Sequence, residues 1–350
     1  MNFSPSYIKG GNIMKRIISI ITVLCILVSL TACGDTGTAD KNSLPTNEDA
    51  TSHSEAPVPS ELTPQINSST EINTDNRTVQ YPISPEGMVV KGEEGGATPT
   101  GLKPLSATDY TASEKREGLS EKKLSHSHGP ASGGKPHHTV ESFQDTFDKF
   151  SASTLDRTSE EKVMYLTFDC GYEYDNLTAD ILDTLREKQV PAAFFCTLDH
   201  IKSEPELIAR MINEGHIVGN HSATHPSFAD ISRAQMAEEI EETENYLREN
   251  FGYCAKYFRF PAGEYTESAL DLVASLGYVS VFWSVAYDDW NTESIKGKAY
   301  AVDTVTSRFH DGAIILLHSV SHDNADALGE IIDKARAEGY EFRSLEQLPL

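Results

Sequence analysis

Five stretches from Tyr165 onward carry side chains able to do acid, base or metal chemistry. The first, Tyr165-Leu166-Thr167-Phe168-Asp169-Cys170-Gly171, is an apolar run that stops on a carboxylate and a thiol before a glycine. It reads as a buried strand delivering both groups to the rim of an α/β sheet. In the plainer reading, Asp169 caps the helix that follows. The second, Asn220-His221-Ser222-Ala223-Thr224-His225-Pro226, carries two imidazoles. Pro226 disfavours helical geometry at His225, so the pair belongs on a turn. Two such imidazoles can grip one divalent cation, with Cys170 or Asp169 as a third donor and water completing a catalytic zinc-type set. Arg259-Phe260-Pro261-Ala262-Gly263-Glu264, Asp288-Asp289-Trp290 and His318-Ser319 add a guanidinium, paired carboxylates and a further imidazole.

Each stretch follows a predicted strand. From Lys162 onward apolar runs alternate with amphipathic segments: strands over 163–168, 192–196, 216–219, 257–260, 279–284 and 313–318, a last short one at 341–342, and helices between them. Asn176 is the expected cap of a helix over 177–188, and Ser203 of one that ends before Gly215. Ser232 and Gln235 have capping-box spacing. Regular alternation implies parallel strands with crossover helices. About seven units in so short a span suit a small or incomplete barrel, whose C-terminal strand ends share one functional face.

In order, Thr167-Phe168-Asp169-Cys170-Gly171, His221-Ser222-x-x-His225-Pro226, Arg259-x-Pro261-x-Gly263, Asp289-Trp290 and Leu316-Leu317-His318-Ser319 resemble the five motifs of the polysaccharide deacetylase family, the NodB-homology domain. The resemblance covers about 162–350. It implies a distorted (β/α)7-type barrel over 161–350 that hydrolyses the acetamide of N-acetylated sugars. It extends to the branch acting on peptidoglycan N-acetylmuramic acid, which makes the muramic δ-lactam of spore cortex. Phe282-Trp283-Ser284-Val285-Ala286 and the run from Leu317 to Leu328 carry that likeness. Carried over residue by residue, Asp169 is the general base, His221 and His225 hold a divalent metal (zinc, with cobalt or manganese as alternatives), and Arg259 pairs with Asp169. His318 protonates the departing amine, and Asp289 favours its charge. A backbone N–H after Pro261, near Gly263, Glu264 or Tyr265, helps hold the oxyanion. Trp290, with Trp283 and Tyr287, offers an aromatic face to a pyranose ring. Most of the family has aspartate where this chain has Cys170. The thiol is therefore either a third metal ligand or a spectator. The same motifs also leave open an N-acetylglucosamine or other glycan deacetylase, an acetyl esterase, and a non-catalytic sugar-binding lipoprotein.

The preceding third of the chain explains the low hydrophobic content of 39%. The span 1–33 reads as upstream residues, which do not fit a signal, followed by a bacterial lipoprotein signal: Met14-Lys15-Arg16, an apolar run to Leu30 and then Leu30-Thr31-Ala32-Cys33, with translation starting at Met14 and lipid on Cys33. Residues 34–105 are nearly devoid of aromatics, sustain no period of two or 3.6, and read as an acidic tether. The stretch 106–160 reads as an extension packing on the catalytic domain, with a helix over 140–150. Its histidines, among them His126, His128, His137 and His138, read as solvated loop. The expected protein is thus extracytoplasmic and lipid-anchored, with peptidoglycan glycan strands as partner. A formal net charge of −24 excludes nucleic acid as a broad-patch partner. Nothing in the pattern sets an oligomeric state.

Overall fold

The computed structural model describes residues 117–349. The signal, Cys33 and the tether lie outside them. Short β1 (Leu124–Ser125), helix α1 (His138–Phe147) and β2 (Ala152–Ser153) come first. Then follow β3 (Val163–Cys170), α2 (Leu177–Lys188), β4 (Ala192–Cys196), α3 (Leu198–Ser203), α4 (Pro205–Asn213) and β5 (Ile217–Asn220). The chain continues through α5 (Arg233–Phe251), β6 (Tyr257–Phe258), β7 (Glu264–Tyr265), α6 (Glu267–Ser275) and β8 (Val279–Val281). It closes with α7 (Lys298–Thr306), β9 (Ala313–His318), α8 (His322–Ala337) and β10 (Glu341–Phe342).

Strands β9, β3, β4, β5, β6 and β8 pair in parallel in that order. A parallel bridge from Val285 to Ile315 brings the far edge back to β9. The sheet is therefore a curled, nearly closed barrel with crossover helices, as the β/α alternation predicts. Alternation along each strand builds two cores. Val163, Tyr165, Phe195, Ile217, Tyr257, Val281 and Ile314 fill the interior. Met164, Leu166, Phe168, Cys170, Phe194 and Cys196 face the helices with Ile181, Leu185, Ile208 and Leu328. All eight residues of β3 are buried for that reason.

The extension belongs to the barrel. β1 pairs antiparallel with β7, and β2 pairs parallel with β8. After β2 the chain packs on the start of β9, where Asp156 N–H donates to Gly312 O at 2.9 Å. Gly312 has φ +73°, and a Cβ there would stand 1.9 Å from the Asp156 carbonyl oxygen. Gly312→Ala is expected to lose about 2–4 kcal/mol, combining left-handed strain with a backbone clash. Thermal unfolding should show a drop on the order of 5–10 °C. A wild-type Tm would refute the close approach.

The Ser232–Gln235 capping box forms in full at the start of α5. Two caps differ from expectation. Asn176 takes φ 62° with no side-chain capping bond. Ser203 ends α3 instead of starting a helix, because Pro205 restricts Glu204 and restarts the chain as α4. Thr197 caps α3.

Candidate active site

The functional side chains leave the C-terminal ends of five segments on one rim. Asp169, the penultimate residue of β3, stands beside its register partner His318 at the end of β9. His221 follows β5, Arg259 follows β6, and Asp289 lies beyond β8.

Arg259 is wholly buried inside the rim. Its Nη1 donates to Asp169 Oδ1 at 2.7 Å, Nε to Val281 O at 2.9 Å and Nη2 to Phe282 O at 3.3 Å. The guanidinium lies 4.1 Å from the centre of the Phe195 ring. Gly219 makes room for that ring, since a Cβ at Gly219 would stand 2.5 Å from it. Burial pushes the Asp169 pKa upward. The charge of Arg259, with His221 and His318, outweighs burial, so the carboxyl lies below its ordinary value.

His221 Nδ1 is 2.8 Å from Arg259 O. A carbonyl only accepts, so Nδ1 carries the proton. Burial lowers the His221 pKa to about 4, leaving the ring neutral with a lone pair on Nε2. That Nε2 stands 3.5 Å from Asp169 Oδ2, itself an acceptor. Two lone-pair atoms face one another in a buried place, an arrangement suited to a cation beside them. His225 adds the second imidazole, its ring centre 4.8 Å from that of His221. The expected turn is present: His225 has φ 60°, and its N–H donates to Ser222 Oγ at 3.0 Å. Burial lowers the His225 pKa as well. The two histidines thus fit a divalent ion.

Across the rim, His318 Nδ1 donates to Asp289 Oδ1 at 2.7 Å, and His318 N–H donates to Asp289 Oδ2 at 2.8 Å. Asn324 Nδ2 donates to Asp289 Oδ2 at 2.6 Å, and Tyr287 OH donates to Asn324 Oδ1 at 2.5 Å. Burial opposes a charged His318, but Asp289 and then Asp169 outweigh it, and the pKa is raised. A carboxylate holding Nδ1–H leaves Nε2 to exchange a proton. These groups surround a cleft of about 990 Å³ lined by Asp169, His221, His225, Gly263, Trp290 and His318. Tyr172 and Trp290, 51% and 61% exposed, present aromatic surface at its edge.

The profile of the polysaccharide deacetylase family matches residues 156–281. The chain is 40% identical over 227 residues to the peptidoglycan-N-acetylmuramic acid deacetylase PdaA of Bacillus subtilis, covering 65% of this chain and 83% of PdaA. The chain belongs to the polysaccharide deacetylase family. The structure of Bacillus subtilis PdaA, described as a family 4 carbohydrate esterase, superposes with a TM-score of 0.63 at 37% identity. That match covers 65% of this chain and 97% of the PdaA chain. A peptidoglycan-N-acetylglucosamine deacetylase of Bacillus cereus is 32% identical over 191 residues, 52% of this chain and 66% of its own length.

Within this polysaccharide deacetylase some expected residues stand elsewhere. Cys170 is absent from the cleft. It follows Asp169 on a continuous strand, so its side chain leaves by the opposite face, where it meets Cys196 and His200. Of the two expectations for Cys170, third ligand beside His221 and His225 or spectator at that site, its position outside the cleft rules out the first. Glu264 and Tyr265 also fall outside the cleft lining. The Glu264 carboxylate pairs with Lys123 at 2.8 Å, and its N–H is taken by Pro261 O. Tyr265 is buried in the outer core.

His126 and Asn324 were not marked as site residues in the sequence. His126 is buried in place of the expected solvated loop, and its Nε2 donates to Trp283 O at 2.7 Å. Burial lowers its pKa to about 3, so it lines the cleft as a neutral ring. Only the pairing of β1 with β7 brings it there, which no local pattern announces. Asn324 lies inside the Leu317–Leu328 run, and that position is its one sequence signal; its bond to Asp289 exists only in the fold.

Proposed function

We propose that this chain hydrolyses the acetamide of peptidoglycan amino sugars, with N-acetylmuramic acid as the preferred residue. The observation that carries the reading is the match to most of PdaA, joined to a cleft in which Asp169, His221, His225 and His318 converge.

An amide has a poor electrophile and a poor leaving group, so both need help. Asp169 stays ionised and accepts the proton of the attacking water. Arg259 fixes its position and charge. His221 and His225 would hold a divalent ion, zinc with cobalt or manganese as alternatives, and the ion would supply Lewis acidity. His318 donates the proton that the departing amine needs, and Asp289 with Asn324 aims its ring. Tyr172 and Trp290 stack on the sugar. The lipobox Leu30-Thr31-Ala32-Cys33 supports an extracytoplasmic location, tethered by lipid on Cys33 within reach of glycan strands.

The test offers intact and amidase-trimmed glycan strands to the protein and reads released acetate and the masses of the digested sugars. Loss of acetyl from muramic acid is expected. Loss from glucosamine alone would replace the muramic assignment, and strand binding without acetate release would leave a sugar-binding protein.

The alkaline limb of activity follows from His318. Its imidazolium is present below its pKa and lost as pH rises through it. Asp289 raises that pKa, so Asp289→Asn should move the alkaline limb of kcat/KM toward lower pH. An unmoved limb would show that His318 is not the titrating acid.

A further inference from the structure

Cys170 and Cys196 end neighbouring strands in register, both directed to the outer face of the barrel. α3 starts directly after β4 and places His200 against them. One donor atom from each of the three lies within 4.8 Å of the other two. Among the described residues no other three His, Cys, Asp or Glu side chains bring donor atoms this close together. All three are 0% exposed. Neither ring nitrogen of His200 has a hydrogen-bond partner. Leaving two imidazole nitrogens unsatisfied in a dry interior is costly, and native interiors seldom do it.

We propose that Cys170, Cys196 and His200 bind a soft d10 cation, Zn(II) or Cu(I), in a closed site separate from the catalytic cleft. Two sulfurs and an imidazole are the donors that such ions select over magnesium or calcium. Each thiol passes its proton to solvent as its sulfur takes the ion, and one nitrogen of the neutral ring gives its lone pair. With Zn(II) the two thiolates balance the charge, which suits an apolar surround. With Cu(I) three donors complete a trigonal set. The site faces the helix layer, so its role is to tie the start of α3 to β3 and β4 beneath the rim.

The test uses the full chain, reduced and stripped of metal, titrated without oxygen with Co(II) as the probe for Zn(II) and separately with Cu(I). Thiolate-to-metal charge-transfer absorption in the near ultraviolet is expected for at least one ion, saturating at one ion per chain. It should persist in a His221→Ala/His225→Ala variant, which lacks the cleft imidazoles, and vanish in Cys196→Ser. His200→Gln should weaken binding at least tenfold while leaving both sulfurs, and it serves if Cys196→Ser does not fold. The ion should also raise the Tm of the His221→Ala/His225→Ala variant. No charge-transfer band with either ion would overturn the proposal. So would a band that survives Cys196→Ser, a band lost with the cleft histidines, or a Cys170–Cys196 disulfide in the protein as isolated. None of these readings depends on deacetylation, so failure here leaves the proposed function standing.

Discussion

Asp169→Asn is expected to lower kcat for acetate release by roughly 10²–10⁴-fold, the range that a positioned general base contributes. The amide keeps the shape of the carboxylate, and its oxygen can still accept from Arg259 Nη1, now 2.7 Å from Oδ1. It cannot take a proton. KM should therefore change much less than kcat, because the cleft lined by Gly263, Trp290 and His318 is untouched. Stability should fall modestly, by about 1–3 kcal/mol, because a charge-assisted bond becomes a neutral one in a buried place. Steady-state kinetics on glycan strands, with circular dichroism to confirm folding, checks both parts. Acetate release within tenfold of wild type would remove Asp169 as the base. Wild-type catalysis abolished by this one change would exclude the non-catalytic sugar binder.

The barrel was legible in the sequence because strands buried on both faces are written as apolar runs, and those runs alternate with amphipathic helices. The limits of 313–318 and 177–188 match β9 and α2. The site was legible as an order of strand ends, since parallel connection puts them on one rim whatever the details between. What was not legible depended on where a strand stops. The apolar run predicts a first strand ending at Phe168, which leaves Asp169 and Cys170 free to turn the same way. Pairing with β4 and β9 carries β3 on to Cys170, and alternation then separates the two side chains. The histidine-rich extension failed for a different reason. His126 is buried by Phe143 and Phe147 of α1 in the same extension and by Phe282 and Trp283, which follow β8 far along the chain. A composition reading of its glycine- and proline-rich flanks has no access to them.

Arg259→Met should lower stability by about 3–5 kcal/mol, the range for removing one partner of a buried ion pair. Methionine fills part of the volume over the Phe195 ring. It leaves the Asp169 carboxylate without its cation and strands the carbonyls of Val281 and Phe282, which now accept from Nε and Nη2. The effect has a sign in pH. In the wild type Asp169 is held below its ordinary value, so it contributes stability above the unfolded carboxyl pKa, near 4, that is lost as pH falls through the folded one. Without Arg259 burial dominates and the folded pKa rises. Ionised Asp169 then destabilises, and the penalty is relieved as pH falls and the carboxyl protonates. The stability gap between wild type and variant should accordingly narrow toward acid pH. Adding Asp169→Asn to Arg259→Met should recover part of the loss at neutral pH, because no unpaired charge remains. Urea unfolding of the three proteins at neutral and acid pH decides the matter. A gap that is the same at both, or a double variant no more stable than Arg259→Met, would mean that Arg259 stabilises by packing on Phe195 and not by holding the charge of Asp169.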